Sequence, residues 1–190
     1  MSQNLLKFVE FAWLTVIIVW LIGALNTKRS VRRQSRASRL VPFLAAIVVA
    51  ELFSQGARWM PWLRGRFIPP SAAGSWTGIV LTWFGIGFVI AARVYLGRNW
   101  SGIVTVKQDH TLIQGGPYAI VRHPIYSGLL LAAFGTAIFF GQVRGLLVVL
   151  LAAGLLLQKI SIEENFMTEQ FRGEYLAYQR KVKALIPYVW

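Results

Sequence analysis

At 190 residues, with 56% hydrophobic side chains and a net charge of +13, and with a mean hydropathy of +0.54, the chain is too apolar for an ordinary soluble domain and reads as an integral membrane protein. It has no cysteine and two histidines, His110 and His123, so disulfides, thiolate nucleophiles and thiolate metal sites are excluded, and no His-x-x-x-His or carboxylate cage suggests a metal. Six of the 20 basic residues stand between Lys28 and Arg39, a short loop beside apolar segments that signals a topology determinant touching anionic lipid headgroups, not nucleic-acid binding.

Residues 5–25 form the first expected span, apolar apart from Lys7 and Glu10 and long enough, at about 1.5 Å per residue, to cross the hydrocarbon. A signal peptide is the competing reading. The length of the run and the lack of a small-residue cleavage pattern before Lys28 favour a retained anchor. Residues 41–62 predict a second span, interrupted by Glu51 and closed by Arg58, Pro61 and the belt residues Trp59 and Trp62. An intramembrane carboxyl such as Glu51 is a candidate for function or for a hydrogen bond to a neighbouring helix. The connector 63–75 carries Arg64 and Arg66, which with Arg58 oppose the charge bias of the first loop, but six outweigh three. A third span is expected over 76–96, with glycines suited to close helix packing and Arg93 near enough to its end to snorkel.

The stretch 97–123 is of mixed polarity, and 103–106 with 111–113 predict a small hairpin around a polar turn. The apolar runs 125–140 and 145–158, joined by 141–144, read as a helical hairpin of two short spans rather than a re-entrant loop. From Ile160 the pattern is amphipathic: Ile160, Met167, Phe171, Tyr175, Tyr178 and Val182 recur every three or four residues, as in a helix emerging from the bilayer. The fold class is therefore all-α, an integral membrane protein with about five transmembrane helices in a single membrane domain, residues 1–190. Residues 1–75 hold two spans and a connector, and 76–190 the rest. With the basic loop inside, the amino terminus lies outside, and the 97–124 loop and the C-terminal amphipathic helix share the cytosolic face.

That face holds the chemistry. Between Gly115 and Gly128 the chain places Tyr118, Arg122, His123 and Tyr126 next to Gly115-Gly116-Pro117, where backbone can approach a ligand closely. The second cluster is Lys159-Ile160-Ser161-Ile162-Glu163-Glu164. Lys159 and Glu163 share one helix face, where a structural ion pair is the simple reading. Paired carboxylates at the mouth of a span could also hold a ligand's ammonium, and the neighbouring cation an anionic group.

Taken together, Arg122-His123-Pro124-Ile125-Tyr126-Ser127-Gly128, Glu163-Glu164, Glu174-Tyr175-Leu176-Ala177-Tyr178 and Ile186-Pro187 resemble the isoprenylcysteine carboxyl methyltransferase family, a membrane family related to the phospholipid methyltransferases. The likeness begins at Leu96-Gly97-Arg98-Asn99-Trp100-Ser101 and covers about 93–190. It implies an S-adenosylmethionine-dependent methyltransferase with a cytosolic cofactor-binding loop, 76–190 being the catalytic part, that methylates a lipophilic carboxylate entering from the bilayer. By that likeness Gly116, Tyr118, Arg122, His123, Pro124, Tyr126, Glu164, Tyr175 and Tyr178 would line the cofactor pocket, and Lys159 with Glu163 would be catalytic. Two positions depart from the family: Lys159 stands where arginine is usual, and Phe171-Arg172-Gly173-Glu174-Tyr175 displaces by one the glycine that commonly precedes Glu-x-Tyr.

The chemistry needs neither metal nor covalent nucleophile, only two reactants held in line with water excluded. A carboxylate acceptor needs no base; an amine acceptor, as in phospholipid N-methylation, would need Glu163 or Glu164 to take its proton. A sterol-reductase-like enzyme binding NADPH is the third reading, with a related Pro-x-Tyr-x-Gly segment. The adjacent glutamates and the absence of the cysteine-bearing Arg-Asp segment typical of those reductases weigh against it, and a 2′-phosphate site would also want arginine. The expected partners are the lipophilic acceptor and membrane lipids.

Overall fold

A computed structural model describes residues 3–24, 30–33, 60–97, 105–107 and 112–189. The expected span at 41–62, up to residue 59 and including Glu51, lies outside the described residues, as does His110. Helix α1 is Gln3–Ala24, α2 Ala72–Leu96, α3 Pro124–Phe140 and α4 Val143–Lys181. Among the described residues three helices, Gln3–Gly23, Ala72–Leu96 and Val143–Lys181, are long and apolar enough to cross a membrane. The fourth, Pro124–Phe140, is shorter. The fold is helical, as the sequence predicts.

The first helix shows how pattern becomes packing. Val9, Ala12 and Val16, spaced by three and four, are buried, while Phe8, Phe11, Leu14, Ile18 and Leu21 are exposed on the other faces. In water such an outer face would be costly; in hydrocarbon it is the matched surface. The inner stripe packs on Ile79, Ile86 and Phe139, so α1 runs parallel to α2.

Helices α2 and α3 pack antiparallel at backbone contact. A Cβ at Gly78 would lie 2.7 Å from the Gly135 carbonyl, and one at Gly85 2.5 Å from the Ala132 amide. Small residues on both helices let the two backbones approach this closely, the usual means of joining helices where burial from water cannot drive association. Thr82, fully buried, donates to the Gly78 carbonyl at 2.8 Å and stands 3.3 Å from the Thr136 hydroxyl. Trp13 on α1 donates to that same Thr136 hydroxyl at 3.0 Å. Three helices are thus tied at mid-depth by polar contacts satisfied inside the bundle.

Caps fix the ends. The Ser71 hydroxyl accepts from the Gly74 amide at 3.0 Å to start α2, which Gly97 at φ 54 ends. Gly141 at φ 64 terminates α3, and α4 begins two residues later. The second apolar run needs no independent span length, because α4 carries it straight into the amphipathic segment as one helix, interrupted only at Arg172, with φ 45 and ψ −119.

The expected hairpin within 103–113 is not what residues 105–107 form. Strand β2, Thr105–Lys107, pairs antiparallel with β1, Ser30–Arg33, from the basic loop. Backbone amides of a loop find whichever edge is offered, and here a distant segment supplies it. The ladder lies beyond the C-terminal ends of α1 and α2, so the basic loop and the polar loop share one end of the bundle.

Candidate active site

The segment before α3 is held from two sides. Gly116–Ala119 forms a 3-10 turn, and Gly116 adopts φ 57, where a Cβ would run into the Tyr95 ring. This is the close approach that Gly-Gly-Pro permits. On the other side the chain after α4 returns alongside residues 121–123: the Arg122 amide donates to the Lys183 carbonyl at 2.8 Å and the His123 amide to the Ala184 carbonyl at 3.0 Å. The Ser127 hydroxyl donates to the Leu185 carbonyl at 2.7 Å. Pro124 opens α3, where a missing amide costs nothing.

Between these supports Arg122 projects onto α4. Its Nε and Nη2 donate to Glu164 Oε1 at 2.9 and 2.6 Å, and its Nη1 donates to the Gln179 carbonyl at 3.3 Å and to the Val182 carbonyl. His123 Nε2 lies 3.2 Å from Glu164 Oε1. Gln179 Nε2 donates to the other oxygen, Oε2, at 3.0 Å. Both oxygens of Glu164 are therefore engaged. Burial raises its carboxyl, but the hydrogen bonds and charges of His123 and Arg122 win and hold it at about 2.

Glu163 is differently placed. Tyr126 donates to its Oε1 at 2.5 Å, and Lys159 Nζ is 4.0 Å from the same oxygen. Its Oε2 is 3.6 Å from His123 Nδ1, beyond hydrogen-bond length, so this carboxylate keeps acceptor capacity. The His123 and Tyr126 rings stack at 5.5 Å and 5°, and the Lys159 ammonium sits 5.3 Å from the Tyr126 ring centre.

Tyrosines close the other side. Tyr178 donates to the Tyr118 carbonyl at 2.5 Å, and its ring meets Tyr175 edge-on at 6.0 Å. Burial pushes Tyr118 and Tyr175 above the usual phenol range, reinforced by the charges of Glu163 and Glu164 respectively. Burial takes Tyr178 up to about 12, against the opposing charge of Arg122. All three remain neutral O–H donors at neutral pH.

The residues that the resemblance assigned to the site, Gly116, Tyr118, Arg122, His123, Pro124, Tyr126, Lys159, Glu163, Glu164, Tyr175 and Tyr178, thus fall at this one end of the bundle. Sequence reasoning missed Gln179, which clamps Glu164, and Gln114, whose Nε2 donates to Glu174 at 3.2 Å. It also missed Tyr95, the wall against Gly115-Gly116. Amides and a lone span-end tyrosine carry no pattern that separates them from surface residues; the one available signal for Gln179 was its place one residue after Tyr178.

The sequence pattern of the phospholipid methyltransferase family matches residues 73–174, more than half of the chain. The chain belongs to the phospholipid methyltransferase family. The match contains α3, the paired glutamates and the polar loop, and ends just before Tyr175. The protein-S-isoprenylcysteine O-methyltransferase of Schizosaccharomyces pombe is 37% identical over 102 residues, 52% of this chain and 43% of that protein. The mouse protein of the same name is 29% identical over 177 residues, 90% of this chain and 60% of its own length. This member of the family therefore spans about two-fifths to three-fifths of those relatives. A solved structure of the eukaryotic intramembrane Ras methyltransferase, isoprenylcysteine carboxyl methyltransferase, superposes with TM-score 0.58 at 23% identity, covering 82% of this chain and 55% of that one. The shared fold is that of a membrane protein, in keeping with the exposed apolar faces of the helices.

Proposed function

We propose that the chain is an S-adenosylmethionine-dependent methyltransferase that esterifies the carboxylate of a lipophilic, prenylated acceptor reaching the site from the bilayer. The observation that carries the reading is the division of labour between adjacent glutamates: Glu164 is consumed by Arg122, His123 and Gln179, whereas Glu163 keeps an oxygen available. A carboxylate with spare lone pairs, neutral tyrosine hydroxyls and stacked rings suit a cofactor bearing an ammonium, a sulfonium and a flat base. The Gly116 backbone, against which a side chain would collide with Tyr95, suits close passage of that molecule.

When bound, S-adenosylmethionine supplies an electrophilic methyl group. The work of the chain is then placement. Glu163, steadied by Tyr126, would hold the cofactor's ammonium or orient the acceptor. Lys159, on the bilayer side of the pair, would turn an acceptor carboxylate towards the methyl group. Arg122, Glu164, Tyr118, Tyr175 and Tyr178 form the frame that fixes Tyr126 and His123 and excludes water. Placing this site in the cytosol follows the basic loop, whose strand joins the same end. Five crossings follow if residues 34–59 span once, and Arg33 and Met60 stand at opposite ends of the bundle, as one crossing requires.

A second reading, methylation of a phospholipid amine, is favoured by the family pattern over 73–174. Radiolabelled S-adenosylmethionine offered with prenylated carboxylates and with phosphatidylethanolamine separates the two. Base-labile label marks the ester and supports the first reading; base-stable label on the amine replaces it with the second. Binding of NADPH in place of S-adenosylhomocysteine would overturn both.

A further inference from the structure

The segment that returns to the loop after α4 does not stop at the contact. Residues 183–185 lie along 121–123, with the Arg122 amide on the Lys183 carbonyl at 2.8 Å and the His123 amide on the Ala184 carbonyl at 3.0 Å, and Ala184 and Leu185 are buried. The next four residues turn outward. The Val189 amide donates to the Ile186 carbonyl at 3.1 Å, closing a turn with Pro187 and Tyr188 at its corners. Its side chains stand open: Tyr188 is 96% exposed, Val189 71% and Ile186 55%. Methyl transfer uses none of them.

Tyr188 is also a poor match for its own backbone. It adopts φ 65, which glycine or asparagine takes readily at this corner of a turn and tyrosine takes at a cost. An aromatic ring held there serves something other than the local fold. Depth decides what that ring meets. Ser127, one turn into α3, donates to the Leu185 carbonyl at 2.7 Å, so Ile186 starts level with the first turn of that helix. At 17 residues, α3 is about 25 Å long, less than the ~30 Å hydrocarbon layer, so as a crossing helix it has its first turn at the boundary of that layer. A tyrosine between aliphatic side chains at this level has the makeup of an interfacial anchor, amphipathic in the ring and apolar beside it. Ile120, next to the bridge between Val121 and Lys183, is exposed on the loop as well.

We propose that the turn at 186–189 seats in the headgroup–acyl boundary of the bilayer that the helices cross, and that this contact holds the strap 183–185 against residues 121–123. Two amide hydrogen bonds and one hydroxyl would otherwise leave the strap free to open locally. The bilayer thereby takes part in ordering Arg122 and His123, whose side chains both meet Glu164. The candidate site is then fully assembled only at a membrane surface.

The test uses the full, cysteine-free chain in phosphatidylcholine nanodiscs. A nitroxide on Val189→Cys, with Tyr188 kept, should be relaxed more by oxygen than by a water-soluble nickel chelate. Stronger relaxation by nickel would place the turn in water and overturn the proposal; shielding from both reagents would show that protein covers it, and would overturn it too. The strap is read separately by hydrogen exchange of the Arg122 and His123 amides, followed in peptides spanning 119–126. Tyr188→Asn keeps a residue suited to the turn and removes the ring, at a position too exposed for the change to threaten the fold. Exchange of those amides should quicken about fivefold, the equivalent of ~1 kcal/mol of lost burial. Unchanged or slower exchange would mean that the turn holds the strap without the bilayer, and would defeat the proposal. Neither readout involves cofactor or acceptor, so failure here would leave the proposed methyl transfer standing.

Discussion

At the scale of single residues, Glu163 and Glu164 show how neighbours in sequence acquire different jobs. If Glu163 positions the reactants, Glu163→Gln should leave folding nearly intact and lower turnover about a hundredfold, roughly 2.7 kcal/mol of transition-state stabilisation. Lys159→Arg should be tolerated, because the cation is kept. A surface ion pair alone, at 4.0 Å and partly exposed, predicts stability changes of at most about 1 kcal/mol and wild-type turnover in both variants. Single-turnover assays with the labelled cofactor distinguish these patterns. Glu164 should behave as a structural acid. Its carboxyl is held at about 2 in the fold against 4.5 ordinarily, so its ionised form contributes stability above pH ~4.5, and that contribution is lost as pH falls through the folded value. Thermal denaturation should therefore show a midpoint that declines between about pH 4.5 and 2 in the wild-type chain. In Glu164→Gln the midpoint should be lower at neutral pH and flat across that window.

At the scale of elements, the contact between α2 and α3 rests on glycines that are not equivalent. A Cβ at Gly85 meets the α3 backbone, whereas one at Gly87, on the same helix, meets nothing within 4 Å. Gly85→Ala should cost about 1–3 kcal/mol by forcing the helices apart, and Gly87→Ala should be neutral or slightly stabilising. Denaturation of the two variants in detergent checks the pair. Helix α4 holds the second element-level test. Its break falls on Arg172, at φ 45 and ψ −119, a region that glycine occupies readily and arginine does not. This is the extra residue that displaces the family's glycine in the sequence. Arg172→Gly should keep the bend that presents Tyr175, Tyr178 and Gln179 to the loop, and should raise stability by about 1 kcal/mol. A lower melting temperature would show that the Arg172 side chain contributes more than its backbone strain costs.

At the scale of the whole molecule, the bundle has two dissimilar ends. One carries the polar loop, the strand ladder and the returning tail; the other carries the connector paired with the α3–α4 turn and the exposed indoles of Trp62 and Trp76. In a cysteine-free chain this polarity can be read directly with an impermeant thiol reagent. Gly173→Cys, at a position open to solvent, and Arg64→Cys should label from opposite sides of sealed vesicles, position 173 from the cytosolic one. Labelling of both from one side would break the arrangement on which access of the acceptor from the bilayer depends.

How much of this was legible beforehand follows from how local each cause is. Hydropathy and the 3.6-residue period act within one helix, so the apolar segments, the third span and the amphipathic C-terminal helix could be read from the chain. Loop residues such as Arg122 and His123 stood out because ionisable groups between apolar runs are costly unless used. The partners of those residues were not legible. Which oxygen of which glutamate Arg122 takes, the clamp by Gln179 and the pairing of 105–107 with 30–33 in place of a local hairpin depend on contacts between segments up to about 75 residues apart, and no local period encodes them. Nor did composition reveal that the connector at 65–67 pairs with the turn at 141–143. The sequence by itself determined a helical membrane chain with its reactive groups in two clusters. That the two clusters share one face was also legible, from the span count and the basic loop; only the tertiary structure decided which groups of the two clusters bond to each other, because hydrogen bonds and close packing are satisfied between elements, whereas hydrophobic pattern is satisfied within them.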